Sequence, residues 1–168
     1  MLDAIASCVR FGRLVRDMIG DGPMLDALRS QVTDLQIADA VTFHGNLPHE
    51  RVQDILSRAN LFTFPSIRKF GDGVVLEAMA LGVVPMVVDY AGPGELVSDR
   101  TGFLIPIGSC QEITKQLHDM LARVIEDPSE LPLKGQAARA QVRTGFTWDA
   151  KAQQIVLLYQ PLLQQRLR

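Results

Sequence analysis

Phe70-Gly71-Asp72-Gly73-Val74-Val75-Leu76-Glu77-Ala78-Met79-Ala80-Leu81-Gly82 is the stretch on which the reading of this chain turns. A glycine-rich turn leads straight into an apolar helix, and a single carboxylate, Glu77, stands inside that run. A helix N-terminus with glycines in front of it favours an anion, because its first amides have no intrahelical partner and the helix dipole is positive there. A carboxylate just behind can accept hydrogen bonds from ribose hydroxyls. The combination predicts a site for a nucleoside diphosphate or a molecule that carries one.

Working outward, the turn is preceded by an apolar run, Leu61-Phe62-Thr63-Phe64-Pro65, and the helix is followed by Val83-Val84-Pro85-Met86-Val87-Val88, which reads as a strand buried on both faces. The same alternation continues in both directions. Residues 2–10 read as helix, with Leu2, Ile5, Ala6 and Val9 at helical spacing. Leu14–Ile19 is a strand ended by the turn Gly20-Asp21-Gly22-Pro23. A helix follows with Met24, Leu25, Leu28 and Val32 on one face; Val41–His44 is a strand ended by Gly45-Asn46; Pro48–Ser57 is helical. Gly92-Pro93-Gly94 reads as a turn, with Glu95 capping a short helix after it, and Gly102–Pro106 as a further short strand. From Cys110 the chain is helical: one helix to about Ile125, one around Lys134–Val142, and one from Trp148 to Leu163, with Pro128 and Pro132 in the first gap. Strands alternating with helices predict a single α/β domain over 1–168, a Rossmann-like doubly wound parallel sheet. Ligands of such sheets bind beyond the carboxyl ends of the strands. Three loops qualify: Gly20–Pro23, Gly45–Pro48 and Ser66–Val74. There is no internal repeat and no low-complexity segment.

Composition narrows the partners. The 168 residues are 47% apolar and 21% charged with a formal net charge of -2, which gives no general electrostatic reason to bind nucleic acid or an anionic membrane. Cys8 and Cys110 lie far apart with no metal-ligand spacing, and no histidine stands at ligand spacing from a cysteine or carboxylate, so no bound metal is expected. No run approaches the ~20 apolar residues needed to cross a bilayer, and Met1–Ala6 lacks the basic start of a signal peptide. The expected compartment is cytoplasmic.

The ordered series Ile19-Gly20-Asp21-Gly22-Pro23, Val41–Gly45, Phe64-Pro65-Ser66, Phe70-Gly71, Leu76–Gly82, Gly92–Val97, Thr101–Pro106 and Phe146–Asp149 resembles the C-terminal half of group 1 glycosyltransferases, the GT-B family also called family 4. The resemblance runs from about Leu2 to Leu163. It implies two Rossmann-like domains facing across a cleft, a nucleotide-sugar donor (UDP- or GDP-sugar) held by the C-terminal one, an acceptor held by the other, and hexosyl transfer with retention, with no cofactor and no metal. Residue by residue, it implies that Glu77, as the second glutamate of an E-x7-E motif, binds the donor ribose. The backbone around Gly71, Asp72, Gly73, Val74 and Val75 would meet the diphosphate. Gly20 and Gly22 would line the donor cleft, and His44, Gly45 and Asn46 would lie in the loop that contacts the base.

The chain departs from that pattern twice. The first glutamate of E-x7-E should stand at 69, where this chain has Lys69. A lysine beside the donor sugar removes the carboxylate that would stabilise positive charge at the anomeric carbon, a contribution of roughly 3 kcal/mol for one well-placed group. It could instead bind donor phosphates. Second, aligning Leu2–Val9 with the helix after the diphosphate clamp and Leu14–Ile19 with the second strand leaves the chain without the first strand, without both clamp residues and without the acceptor domain. Gly12-Arg13 is not that clamp, because no lysine follows and Gly20–Pro23 comes too soon. The 168 residues alone are therefore expected to transfer little or nothing.

Other residues carry two readings each. Ser66 is a cap or approaches the phosphates; Asp72 forms the turn or contacts donor hydroxyls; His44 is structural or stacks near a base. Arg68 reads better as a solvated loop residue than as a replacement cation, and His49 and His118 read as surface residues of helices. Trp148 is expected to anchor the last helix by burial. That helix, with Ile155, Val156, Leu158, Tyr159 and Leu162, is expected to leave an apolar stripe that is exposed or pairs with a second copy as a homodimer. Two function classes follow: a donor domain of a retaining glycosyltransferase acting on a saccharide or lipid-linked acceptor, the full enzyme expected to allow peripheral association with a membrane; or a non-catalytic or split-enzyme subunit that binds a partner chain. Another GT-B enzyme, an epimerase or phosphorylase, fits the Leu76–Gly82 string less well.

Overall fold

The computed structural model describes residues 2–10, 14–67 and 73–166, and the side chains of these except Ser7, Arg10 and residues 162–166. The described residues alternate as the apolar runs predict: α1 (Leu2–Arg10), β1 (Arg16–Ile19), α2 (Leu25–Asp34), β2 (Val41–Gly45), α3 (His49–Leu56), β3 (Leu61–Phe64), α4 (Gly73–Leu81), β4 (Val84–Asp89), α5 (Ala91–Leu96), β5 (Phe103–Pro106), α6 (Cys110–Glu126), α7 (Glu130–Gly145) and α8 (Trp148–Arg166). Every strand pair is parallel. The fold class is α/β with helices on both faces of the strands.

Side-chain alternation along the strands builds two cores. Val84, Met86, Val88, Phe103 and Ile105 point to one face, where they pack with α1 (Leu2, Ile5), α2 (Val32) and α6 (Leu117, Leu121). Val87 points to the other, against Val75 and Met79 of α4, Leu96 of α5 and Ala138 of α7. β4, flanked on both sides, is buried at five of its six positions, as its unbroken apolar run requires. α4 ends in a Schellman motif: Gly82 takes φ 80°, its N–H bonds the Met79 carbonyl, and the Val83 N–H bonds the Ala78 carbonyl. α7 crosses that terminus so closely that a Cβ on Gly135 would lie 2.3 Å from the Gly82 carbonyl oxygen.

The strands do not form one sheet. β1 pairs with β2, and β3, β4 and β5 form a separate ladder in that order. Read with the shared core, the order across the layer is β2-β1, a break, then β3-β4-β5. Among the described residues, this is a parallel Rossmann-like layer interrupted between β1 and β3.

Four local expectations are corrected. Gly92-Pro93-Gly94 is not an open turn but part of α5, where a Cβ on Gly94 would come to 2.9 Å from Asp89 Oδ1 and 3.1 Å from the Asp89 carbonyl carbon. Glu95 lies exposed within α5 and does not cap it; the N-cap is Tyr90, with no side-chain cap bond. Pro132 does not precede α7 but sits in its first turn, where a missing N–H costs no helical bond. Trp148 is 92% exposed rather than buried, because α8 packs mainly against α7 and its first residue finds no surface to cover. The exposure expected of the α8 apolar residues is observed at Ile155, Val156, Leu158 and Tyr159.

Candidate functional site

Parallel strands deliver their carboxyl ends to one edge, and the connecting helices that follow begin there. Two groups of predicted residues meet at that edge. The first is built by β1 and β2. Gly20 takes φ 122° and Gly45 φ 65°, conformations open to glycine, and the Gly20 N–H donates to the Gly45 carbonyl at 2.8 Å. This bond ties the two loops together just past the strands. Beside it, His44 Nε2 lies 2.6 Å from Asp17 Oδ1, across the pair. Asp17 and His44 share the face of β1-β2 away from the apolar cluster, and both remain partly exposed. Gly22 is held by its neighbour, its N–H bonding Asp21 Oδ1 at 2.7 Å. Asn46 follows directly on Gly45.

The second group is built by α3 and α4. Glu77 stands on α4 with its side chain 37% exposed, while Val75, Ala78 and Met79 around it are fully buried. The buried neighbours fix the helix, so the carboxylate is held at the surface rather than swinging on a loose element. His49, the first residue of α3, brings Nδ1 to 3.9 Å from Glu77 Oε2, and its Nε2 meets Gln53 Nε2 at 2.9 Å. Gly73 and Val74, at the start of α4 as described, are exposed; Val75 turns its side chain into the core and offers only backbone. Ser66, two residues past β3, is half-buried. Arg68, Lys69, Phe70, Gly71 and Asp72 lie outside the described residues.

Gly20, His44 and Gly45 are thus brought together, as are Glu77 and the start of α4. No hydrogen bond joins the two groups among the described residues. Two members went unread in the sequence. Asp17 was recognisable only with the β1-β2 register, which sets Asp17 opposite Thr42 and so near His44. His49 read as a surface residue, and its side chain is 62% exposed, yet it brings an imidazole nitrogen to 3.9 Å from the Glu77 carboxylate; only the packing of α3 on α4 shows this.

A cavity of about 460 Å³ lies elsewhere, between the first turn of α1 (Asp3, Ala4) and α6 (Cys110, Gln111, Thr114, Lys115, His118). Its lining touches none of the predicted residues. Among the described residues no cluster of three metal-ligating side chains occurs, and no helix is long and apolar enough to cross a membrane. Cys8 is buried and Cys110 exposed, and both are free thiols.

A family model described as "Glycosyl transferases group 1" matches residues 1–140, which leaves α8 outside the matched region. The chain is similar to the D-inositol 3-phosphate glycosyltransferase of Gordonia bronchialis, with 31% identity over 175 residues, covering 98% of this chain and 37% of that protein. It is similar to the GDP-mannose-dependent monoacylated alpha-(1-6)-phosphatidylinositol monomannoside mannosyltransferase of Corynebacterium glutamicum, with 28% identity over 150 residues, 85% of this chain and 38% of that protein. Among solved structures it resembles Anabaena HepE in complex with UDP-glucose (TM-score 0.77, 25% identity, 94% of this chain and 43% of that one). Sucrose-phosphate synthase from Thermosynechococcus elongatus is also similar (TM-score 0.74, 25% identity, 96% and 42%). In each case this chain spans less than half the length of its relative.

Proposed function

The chain belongs to the group 1 glycosyltransferases, and we propose that it forms their donor-holding half, binding a nucleotide diphosphate sugar for retaining transfer to a saccharide or lipid-linked acceptor. The observation that carries this reading is Glu77. A half-exposed carboxylate is fixed by a buried apolar helix at the carboxyl edge of a parallel sheet, just behind a helix start with exposed residues. Vicinal ribose hydroxyls would donate to the two Glu77 oxygens. The amides of Gly73, Val74 and Val75, with Gly71 and Asp72 before them, would face the diphosphate, where the dipole favours negative charge. His44, Gly45 and Asn46, with Gly20 and Gly22, would line the base and the near wall of the cleft. Lys69 would lie close to the donor phosphates or sugar. The likeness to a protein whose structure holds UDP-glucose supports a uridine diphosphate sugar as ligand, and the likeness to a GDP-mannose-dependent mannosyltransferase supports a guanosine one.

The acceptor side lies beyond these residues, since the relatives are more than twice as long. Without it the two substrates are not brought together, a contribution that can reach ~7–11 kcal/mol of a barrier, and the 168 residues alone would bind donor without transferring it. Calorimetric titration with UDP, GDP and ADP tests the reading. Saturable binding of one of them by the folded chain, lost in Glu77→Ala, is expected. A folded sample that binds none contradicts it and favours the non-catalytic, partner-binding alternative, to which Lys69 also points.

A further inference from the structure

His49 of α3 and Glu77 of α4 leave a gap between them the size of one hydroxyl group. His49 Nδ1 lies 3.9 Å from Glu77 Oε2. That is too long for a direct hydrogen bond. It is the separation at which a single hydroxyl oxygen, about 2.8 Å from each atom, meets both with an angle of roughly 90° at the oxygen. Both side chains are partly exposed, so the gap opens to solvent. Among the described residues no hydrogen bond reaches the Glu77 carboxylate, and its oxygens are available to a ligand.

Both walls of the gap are held. Leu56, two turns on from His49 along α3, is buried with Ala78 and Val83, and Ala78 is the neighbour of Glu77 in α4. The contact that seats α3 on α4 therefore also sets the distance between the two polar side chains. His49 is oriented by its own helix as well. Gln53, one turn on, brings its amide nitrogen to 2.9 Å from His49 Nε2. An amide nitrogen only donates, so Nε2 accepts, and the proton of the neutral ring stands on Nδ1, the nitrogen that faces Glu77. The gap is thus bounded by a donor on one side and an acceptor on the other. A hydroxyl, which accepts and donates, satisfies both. An ether or carbonyl oxygen has no proton for the carboxylate, a phosphate oxygen brings a like charge beside it, and a cation suits Glu77 but meets the Nδ1 proton.

We propose that His49 is a second ribose-binding residue, donating from Nδ1 to the same hydroxyl that donates to Glu77 Oε2, and that the pair selects ribonucleotides over deoxyribonucleotides. The other hydroxyl of the diol falls to Glu77 Oε1. This inference rests on the reading of Glu77 as the ribose-binding carboxylate and adds to it a residue from a different helix. Selectivity follows from the shared atom: a ligand without that hydroxyl leaves two polar groups of the site unpaired rather than one.

The test titrates the folded 168-residue chain calorimetrically with UDP and GDP and, for whichever binds, with its 2′-deoxy and 3′-deoxy analogues. His49→Ala is expected to weaken the ribonucleotide roughly fivefold, the worth of about one hydrogen bond, with the thermal midpoint unchanged because the side chain is largely in solvent. His49→Asn, whose amide nitrogen stands near the place of Nδ1, is expected to recover most of the affinity. For one of the two deoxy analogues, wild type and His49→Ala are expected to bind alike, since the hydroxyl that His49 meets is already gone. A merely structural role for His49 would weaken all three ligands by the same factor. That equal loss, or an unchanged ribonucleotide affinity in His49→Ala, would overturn this inference, while binding that still depends on Glu77 would leave the donor reading standing. No binding of either nucleotide by the folded chain would overturn both.

Discussion

Glu77 and Gly135 show how differently single residues matter here. Glu77 packs little and contacts His49 only at 3.9 Å, so it contributes little to stability. Glu77→Ala is expected to lower the affinity for a nucleoside diphosphate at least tenfold in calorimetry while leaving the thermal midpoint nearly unchanged. Glu77→Gln, which keeps one acceptor, is expected to fall between. Gly135 has the opposite profile. A methyl group there would meet the Gly82 carbonyl of the α4 terminus at 2.3 Å, and neither backbone can yield without moving α7. Gly135→Ala is expected to destabilise by about 1–3 kcal/mol in urea unfolding, with no direct effect on the donor residues. The sequence displays Glu77 plainly, because a charge inside an apolar run is conspicuous. It does not display the need for Gly135, because a glycine in a helix reads only as a weak helix former until the second backbone is in place.

At the scale of elements, α6 is the best specified. Ser109 Oγ accepts from the Glu112 N–H at 3.3 Å, while Glu112 Oε2 accepts from the Ser109 N–H at 2.8 Å and from Ser109 Oγ at 2.7 Å, a complete capping box. Ser109→Ala is expected to cost about 1 kcal/mol in thermal unfolding at neutral pH. The Ser109 side-chain bond, followed by the backbone bond, holds the Glu112 carboxyl below its ordinary value. A depressed folded value stabilises the fold above the ordinary carboxylate range, and this contribution is lost as pH falls through the depressed value. The difference between wild type and Ser109→Ala is therefore expected to shrink in acid. α8 is the opposite case. Its main contact is with α7, and its residues from Lys151 to Pro161 are exposed, including Ile155, Val156, Leu157, Leu158 and Tyr159. Ending the chain after Thr147 is expected to shift the midpoint by no more than a few degrees, read by circular dichroism. Helix and strand identities were legible because the apolar runs change period between 2 and 3.6. The exposure of Trp148 was not, since an aromatic residue reads as a core anchor whether or not a surface exists to receive it. Nor was α5, because glycine and proline signal a turn, whereas here the glycine serves close approach to Asp89.

At the scale of the whole molecule, two halves of a parallel layer share one apolar cluster and are bridged by a half-buried arginine, Arg16. Burial pushes the Arg16 guanidinium below its ordinary value, a sign that the cation is held in apolar surroundings rather than in water. The parallel α/β layer was readable from the order of motifs. That the break is spanned by Arg16 and Thr63 was not, because a charged residue inside a strand gives no hint of what lies across the break. The proposed donor site was legible as a list of residues but not as two groups, one tied through Gly20 and Gly45 and one through His49 and Glu77. Their union depends on the sheet edge that carries both.

The central claim is that the start of α4 and Glu77 together hold a nucleoside diphosphate. Amide chemical-shift mapping of the folded 168-residue chain, titrated with UDP and with GDP, tests it directly. Saturable shifts at Gly73, Val74, Val75 and Glu77, with smaller ones at Gly20 and Gly45, are the predicted result, and Glu77→Gln should weaken them. Shifts confined to the cavity between α1 and α6, or none at millimolar nucleotide in a well-dispersed spectrum, would contradict it.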